Sequence, residues 1–115
     1  MKEVNTGLFV DVGANLGWYS LNIAFLGNYS VIAFEPVATN VNLFRKSICL
    51  NHFEDKIILL PYAVAAIHQI CKITNNPGDL SNGKIACTEN EITIAKNEGK
   101  NIFDISVVPL DSIIA

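Results

Sequence analysis

Phe9-Val-Asp11-Val-Gly13-Ala14-Asn15-Leu16-Gly17-Trp18-Tyr19 is the stretch that decides how this chain folds. The apolar run Leu8 to Val12 stops at Gly13, and its length favours a buried strand over a helix. Gly13 and Gly17 then frame a turn in which the chain passes from strand to helix with no Cβ in the way. Asn15 stands between them, one of the few residues with a side chain that tolerates positive φ. Leu16 to Leu26 sets Tyr19, Ile23 and Leu26 at helical spacing, and Gly27-Asn28 is a stop signal. Strand, glycine turn and helix make the nucleotide-binding corner of a doubly wound α/β sheet.

The same rhythm recurs downstream. Val31 to Phe34 is a second strand, closed by Glu35-Pro36 because proline lacks the donor a central strand needs. Thr39 or Asn40 is placed to cap a helix whose inward face is Leu43, Phe44, Ser47, Ile48 and Leu50. Lys56 to Leu60 supplies a third strand, ended by Pro61. Two βα units feeding a third strand predict a parallel sheet with right-handed crossovers.

After Ala63 the pattern changes. Ala65 to Thr74 reads as strand, and Asn75 to Lys84 as a hairpin loop, with a lid over an acceptor as the alternative. Glu89 to Lys100 is polar and irregular, which predicts loop with a strand at Glu91 to Ile94. Ile105 to Val108 is one further strand, and Leu110 to Ile114 resembles the start of a helix. The expected fold is α/β: one Rossmann-like, doubly wound parallel sheet, incomplete, with about three βα-type strands, a hairpin and one more strand. At 115 residues the chain is one domain at most.

Composition narrows the partners. Half the residues are apolar and 17% charged, more apolar material than a small two-layer protein needs, which a sheet covered on both faces would absorb. A net charge of -3 with eight scattered Lys and Arg offers no cationic field to a nucleic acid. Leu21 to Phe34 is too short and too interrupted to span a bilayer, and the N-terminus has no signal-peptide pattern, so the expected location is cytoplasmic. Cys49, Cys71 and Cys87 show no paired ligand spacing; they are expected to be reduced, and no metal site is expected.

Two acids carry the functional reading. Asp11, at the first strand end, would repel an anionic pyrophosphate and attract a cationic amino group and sulfonium. Glu35 lies 24 residues later at the end of the next strand, where an acid in such folds accepts from both ribose hydroxyls. S-adenosylmethionine suits this pair better than a dinucleotide. An NAD(P)-dependent oxidoreductase fragment is the rival, disfavoured by Asp11 and by Trp18-Tyr19 at the helix start where a pyrophosphate needs bare amides. A non-catalytic half-domain needing a partner chain is the third reading, and the open sheet edge would also permit a homo-oligomer. His52 and His68 have no carboxylate or cysteine at ligand or triad spacing and are expected to be structural or surface residues.

The motif Phe9 to Ser20, then Phe34-Glu35-Pro36 with Asn40 and Asn51, and finally Val108-Pro109-Leu110-Asp111, resembles the N-terminal part of an FkbM-type methyltransferase, a class I S-adenosylmethionine-dependent family. The likeness is close over Leu8 to Ala65 and thin afterwards. It implies that Asp11 holds the methionine amino group and that the backbone of Gly13, Ala14, Asn15 and Gly17 packs along methionine and ribose. It also implies that Glu35 takes the ribose hydroxyls and that the backbone at Ala63 lies near the adenine edge. The acceptor it implies is a hydroxyl of a sugar, glycan or secondary metabolite. Ala38, Ser47 and Ala65-Ala66 depart from the family pattern, the last pair removing polar adenine recognition. The family continues after Leu-Asp with a strand carrying a Lys-Ile-Asp-x-Glu-Gly pattern, which the sequence to Ala115 does not contain, so no catalytic residue is assigned.

Overall fold

A computed structural model describes residues 7–78 and 83–114, and the chain divides into two compact units, Met1–Pro61 and Tyr62–Ala115. The first unit runs β1 (Leu8–Val12), α1 (Trp18–Leu26), β2 (Ser30–Phe34), α2 (Ala38–Leu50) and β3 (Ile57–Leu60). Its strands form a parallel sheet in the order β1-β2-β3. Asp11 is level with Ala33 and Val12 with Phe34, so the first two strands end together.

The pleat sends Val31, Ala33, Ile57 and Leu59 to one face, where they pack with Ala24 of α1 and with Val41, Phe44 and Ile48 of α2. Both helices therefore cover the same face. Leu8, Val12 and Ile58, on the opposite face, are about half exposed, so part of the apolar surplus lies there. A three-stranded parallel sheet with its helices is the expected incomplete Rossmann-like α/β fold.

Two helix faces also differ from expectation. In α1 the buried residues are the small Ser20 and Ala24, while Tyr19 and Leu26 face out; small side chains let the helix lie close to the sheet. Lys56 Nζ donates to Ala24 O at 3.2 Å, a cation at the negative end of the helix. In α2 the residue before the first turn is Val37, with no side-chain cap, so Thr39 and Asn40 lie inside the helix. Its inward face is Asn40, Val41, Phe44 and Ile48, and Leu43 and Leu50 are exposed.

The second unit contains β4 (Ala63–Val64), β5 (Gln69–Asn75), β6 (Lys84–Ala86), α3 (Glu89–Asn97), β7 (Asn101–Val108) and a 3₁₀ turn at Leu110–Ser112. Its sheet order is β4-β7-β5-β6, with β5 antiparallel to both neighbours and β4 parallel to β7. The expected hairpin is present as β5-β6; residues 79–82 of its loop, and the lid alternative with them, lie outside the described residues. The final strand starts at Asn101, four residues before the apolar run that announced it, because pairing with β5 continues through Asn75.

Cys71 and Cys87 form a disulfide, which corrects the expectation of three reduced thiols. The cause is register: Lys72 pairs with Ala86, so the next pair outward sets the two cysteines opposite each other with Cα atoms 4.5 Å apart, the spacing of a non-hydrogen-bonded antiparallel pair. Cys49 is free and exposed. Disulfides persist in oxidising compartments, so the thiols lend a cytoplasmic placement no support. Among the described residues no helix is long and apolar enough to cross a membrane.

Glu89 to Asn97 is a helix, not the loop and strand expected from its irregular polarity. Its start is a capping box: Glu91 N donates to Thr88 Oγ1 at 3.2 Å, and Thr88 N donates to Glu91 Oε1 at 3.1 Å. The Cys87 N–H, and after it the Thr88 N–H and hydroxyl, hold the Glu91 carboxyl below its ordinary value of 4.5. A carboxyl with a depressed folded-state pKa stabilises the fold above its unfolded value and loses that contribution as pH falls through the folded one. Acidification below pH 4.5 should therefore loosen the first turn of α3, seen as amide shifts at Thr88 and Glu91 that titrate together and vanish in Glu91→Gln. Flat shifts in the wild type across that range would contradict the capping role.

Candidate cofactor site at the first strand ends

The turn after β1 is built from left-handed residues. Gly13 has φ 74°, Asn15 54° and Gly17 91°, so the position read as glycine-like is indeed held by asparagine at positive φ. The two glycines serve different ends. A Cβ on Gly17 would sit 2.3 Å from the Phe44 ring, whereas one on Gly13 would meet nothing within 4 Å. Gly17 is thus required by packing against α2, and Gly13 faces open space.

Hydrogen bonds tie this turn to the second strand. Gly13 N and Ala14 N both donate to Phe34 O, at 2.8 and 2.9 Å, and Gly17 N donates to Ala14 O at 2.9 Å. Asn15 N donates to Glu35 Oε1 at 2.7 Å. Four of the five N–H groups of residues 13–17 are consequently spent within the chain. Such a turn has few donors left for a phosphate.

Both carboxylates are buried beside it. Asp11 is 8% exposed, and its Oδ2 accepts from Ser20 Oγ at 2.6 Å; Oδ1 has no protein donor among the described residues. Glu35 is 2% exposed. Its Oε2 accepts from Val37 N at 2.9 Å and from Asn40 Nδ2 at 3.3 Å, in addition to the Asn15 bond on Oε1. A carboxylate offers about four lone-pair positions, and three of Glu35's are taken. Accepting both ribose hydroxyls would require one of these bonds to give way.

No family model matches the chain, and no curated protein matches it. Among solved structures the chain is similar to the glycopeptide N-methyltransferase MtfA, crystallised with sinefungin. That similarity has 12% sequence identity and a TM-score of 0.43, over 95% of this chain and 67% of the other.

Of the residues singled out in the sequence, Asp11, Gly13, Ala14, Asn15, Gly17 and Glu35 come together around this one turn. Ala63 belongs to the second unit, where it is buried in β4 and level with Val107. Trp18 and Tyr19 are 72% and 69% exposed, so neither is core. His52 and His68 are exposed as well. A cleft of about 620 Å³ in the second unit, lined by Tyr62, His68, Ser106 and Val108 among others, contains none of the predicted site residues.

Sequence reasoning missed two participants, Ser20 and Asn40. Ser20 carried a signal, since Ser20 and Ala24 form a one-turn stripe of small residues on an otherwise apolar helix. Asn40 was read as a cap because asparagine favours helix starts; its burial beneath Glu35 depends on how α2 docks, which local sequence does not encode.

Proposed function

We propose that this chain is the cofactor-binding portion of an S-adenosylmethionine-dependent methyltransferase of the FkbM type. The observation that carries the reading is the pair of buried carboxylates at adjacent strand ends, both bonded to the same left-handed turn or the helix that follows it. Asp11 Oδ1, which has no protein donor among the described residues, suits an ammonium group, and the open space over Gly13 suits close approach of a ligand to the backbone. Because the N–H groups of Gly13, Ala14, Asn15 and Gly17 are occupied, the turn suits a cationic guest better than a pyrophosphate, which weighs against a dinucleotide.

In this reading the cofactor supplies an electrophilic methyl group, and the chain's own residues bind and orient. Asp11 would hold the amino group of the methionine moiety, and Gly13, Ala14, Asn15 and Gly17 would shape the wall beside it. Glu35 would fix the turn through Asn15 and offer its remaining acceptor position to a ribose hydroxyl. The acceptor we propose is a hydroxyl of a sugar, glycan or secondary metabolite, and transfer to it would depend chiefly on positioning, worth up to several kcal/mol.

Calorimetric titration with S-adenosylmethionine and its demethylated product tests the proposal. Binding of both is expected, with no heat from NADH, and Asp11→Ala should weaken binding by about 1–3 kcal/mol, the scale of a hydrogen bond to a charged group. Unchanged affinity in Asp11→Ala, or tighter binding of NADH, would remove the assignment.

A further inference from the structure

We propose that Ser20 is a positioning residue that dedicates Asp11 Oδ1 to the ligand, an inference that rests on the S-adenosylmethionine reading above. Ser20 is 0% exposed and lies on α1, nine residues beyond Asp11, with its Oγ 2.6 Å from Asp11 Oδ2. A helical serine commonly turns its hydroxyl back to the carbonyl four residues earlier. Ser20 instead donates across to the end of the preceding strand, β1.

The consequence concerns orientation. The terminal torsion of an aspartate is broad and roughly two-fold, so an unrestrained Asp11 could present either oxygen or neither. One strong bond from a buried hydroxyl commits Oδ2 and fixes the plane of the carboxylate, leaving Oδ1 as the acceptor for a cationic group. Burial keeps water from replacing the serine. Helix α1 holds Ser20 there through the packing of Ala24 one turn on, also 0% exposed.

A ligand pair separates positioning from general support. S-adenosylhomocysteine carries the amino acid group that Asp11 would grip; 5′-methylthioadenosine lacks it. In the full 115-residue chain, Ser20→Ala should weaken S-adenosylhomocysteine about 5-fold to 10-fold, the scale of one hydrogen bond, and change 5′-methylthioadenosine by less than about 2-fold. Combining Ser20→Ala with Asp11→Ala should add nothing to the Asp11→Ala loss, since the serine acts through the aspartate. Ser20→Cys, which is slightly larger and keeps a weak donor, should show the same ligand selectivity at smaller size, and it carries the test should Ser20→Ala fail to fold. Equal losses for both ligands, or losses that add in the double variant, would overturn the role of Ser20 while leaving the cofactor reading intact. Absence of S-adenosylhomocysteine binding in the wild type would overturn both.

Discussion

Gly17→Ala should destabilise the first unit by about 2–5 kcal/mol, combining the penalty for a side chain at positive φ with that for overpacking a core. The backbone at Gly17 has φ 91°, and the added Cβ would lie 2.3 Å from Phe44 Cδ1 and Cε1. Phe44 cannot yield easily, because it is fully buried among Val31, Ala33, Val41 and Ile57. Gly13→Ala provides the internal control. There φ is 74° but nothing lies within 4 Å of the new Cβ, so the cost should be about 1–2 kcal/mol, from the backbone alone. Chemical denaturation of the two variants measures the contrast. Equal losses would mean that Phe44 does not set the requirement at Gly17.

Glu35→Ala should cost a comparable amount, about 3–5 kcal/mol, because buried donors left without an acceptor carry about 1–3 kcal/mol each and are not fully additive. Three donors lose their acceptor: Asn15 N, Val37 N and Asn40 Nδ2. Water cannot readily replace a carboxylate that is 2% exposed. Glu35→Gln keeps one oxygen but turns an NH₂ group toward a donor, so an intermediate loss is expected. Amide exchange adds a local signature. In Glu35→Ala the Asn15 and Val37 amides should exchange faster even where β2 remains protected, and an unchanged Asn15 rate would contradict the brace. The two variants also differ in purpose from Asp11→Ala, whose expected effect is on ligand affinity.

Much of the first unit was legible because its signals are local. Short apolar runs closed by Gly13, Pro36 and Pro61 marked the strands, and the left-handed tolerance of asparagine marked Asn15. The pairing of Asp11 with Glu35 at one turn followed from their places at successive strand ends. What stayed hidden was tertiary. Tyr19 and Leu26 face out because α1 rests on the small Ser20 and Ala24, and Leu43 and Leu50 face out because α2 turns Asn40, Val41, Phe44 and Ile48 inward. Glu35's engagement by Val37 and Asn40 depends on the angle at which α2 leaves the Glu35-Pro36 corner. In the second unit the cysteines looked unrelated at a separation of 16 until antiparallel register placed them opposite each other. Helix α3 did carry a readable sign, Thr88-x-x-Glu91, which outweighed its irregular apolar pattern.

The proposed ligand of the left-handed turn between Asp11 and Glu35 is an adenosyl compound bearing an ammonium group, and amide chemical-shift mapping of the labelled chain with S-adenosylhomocysteine tests this. Saturable shifts concentrated at Gly13, Asn15, Leu16 and Gly17, lost in Asp11→Ala, are expected. Saturating ligand that leaves those four amides unmoved while others respond would contradict that proposal.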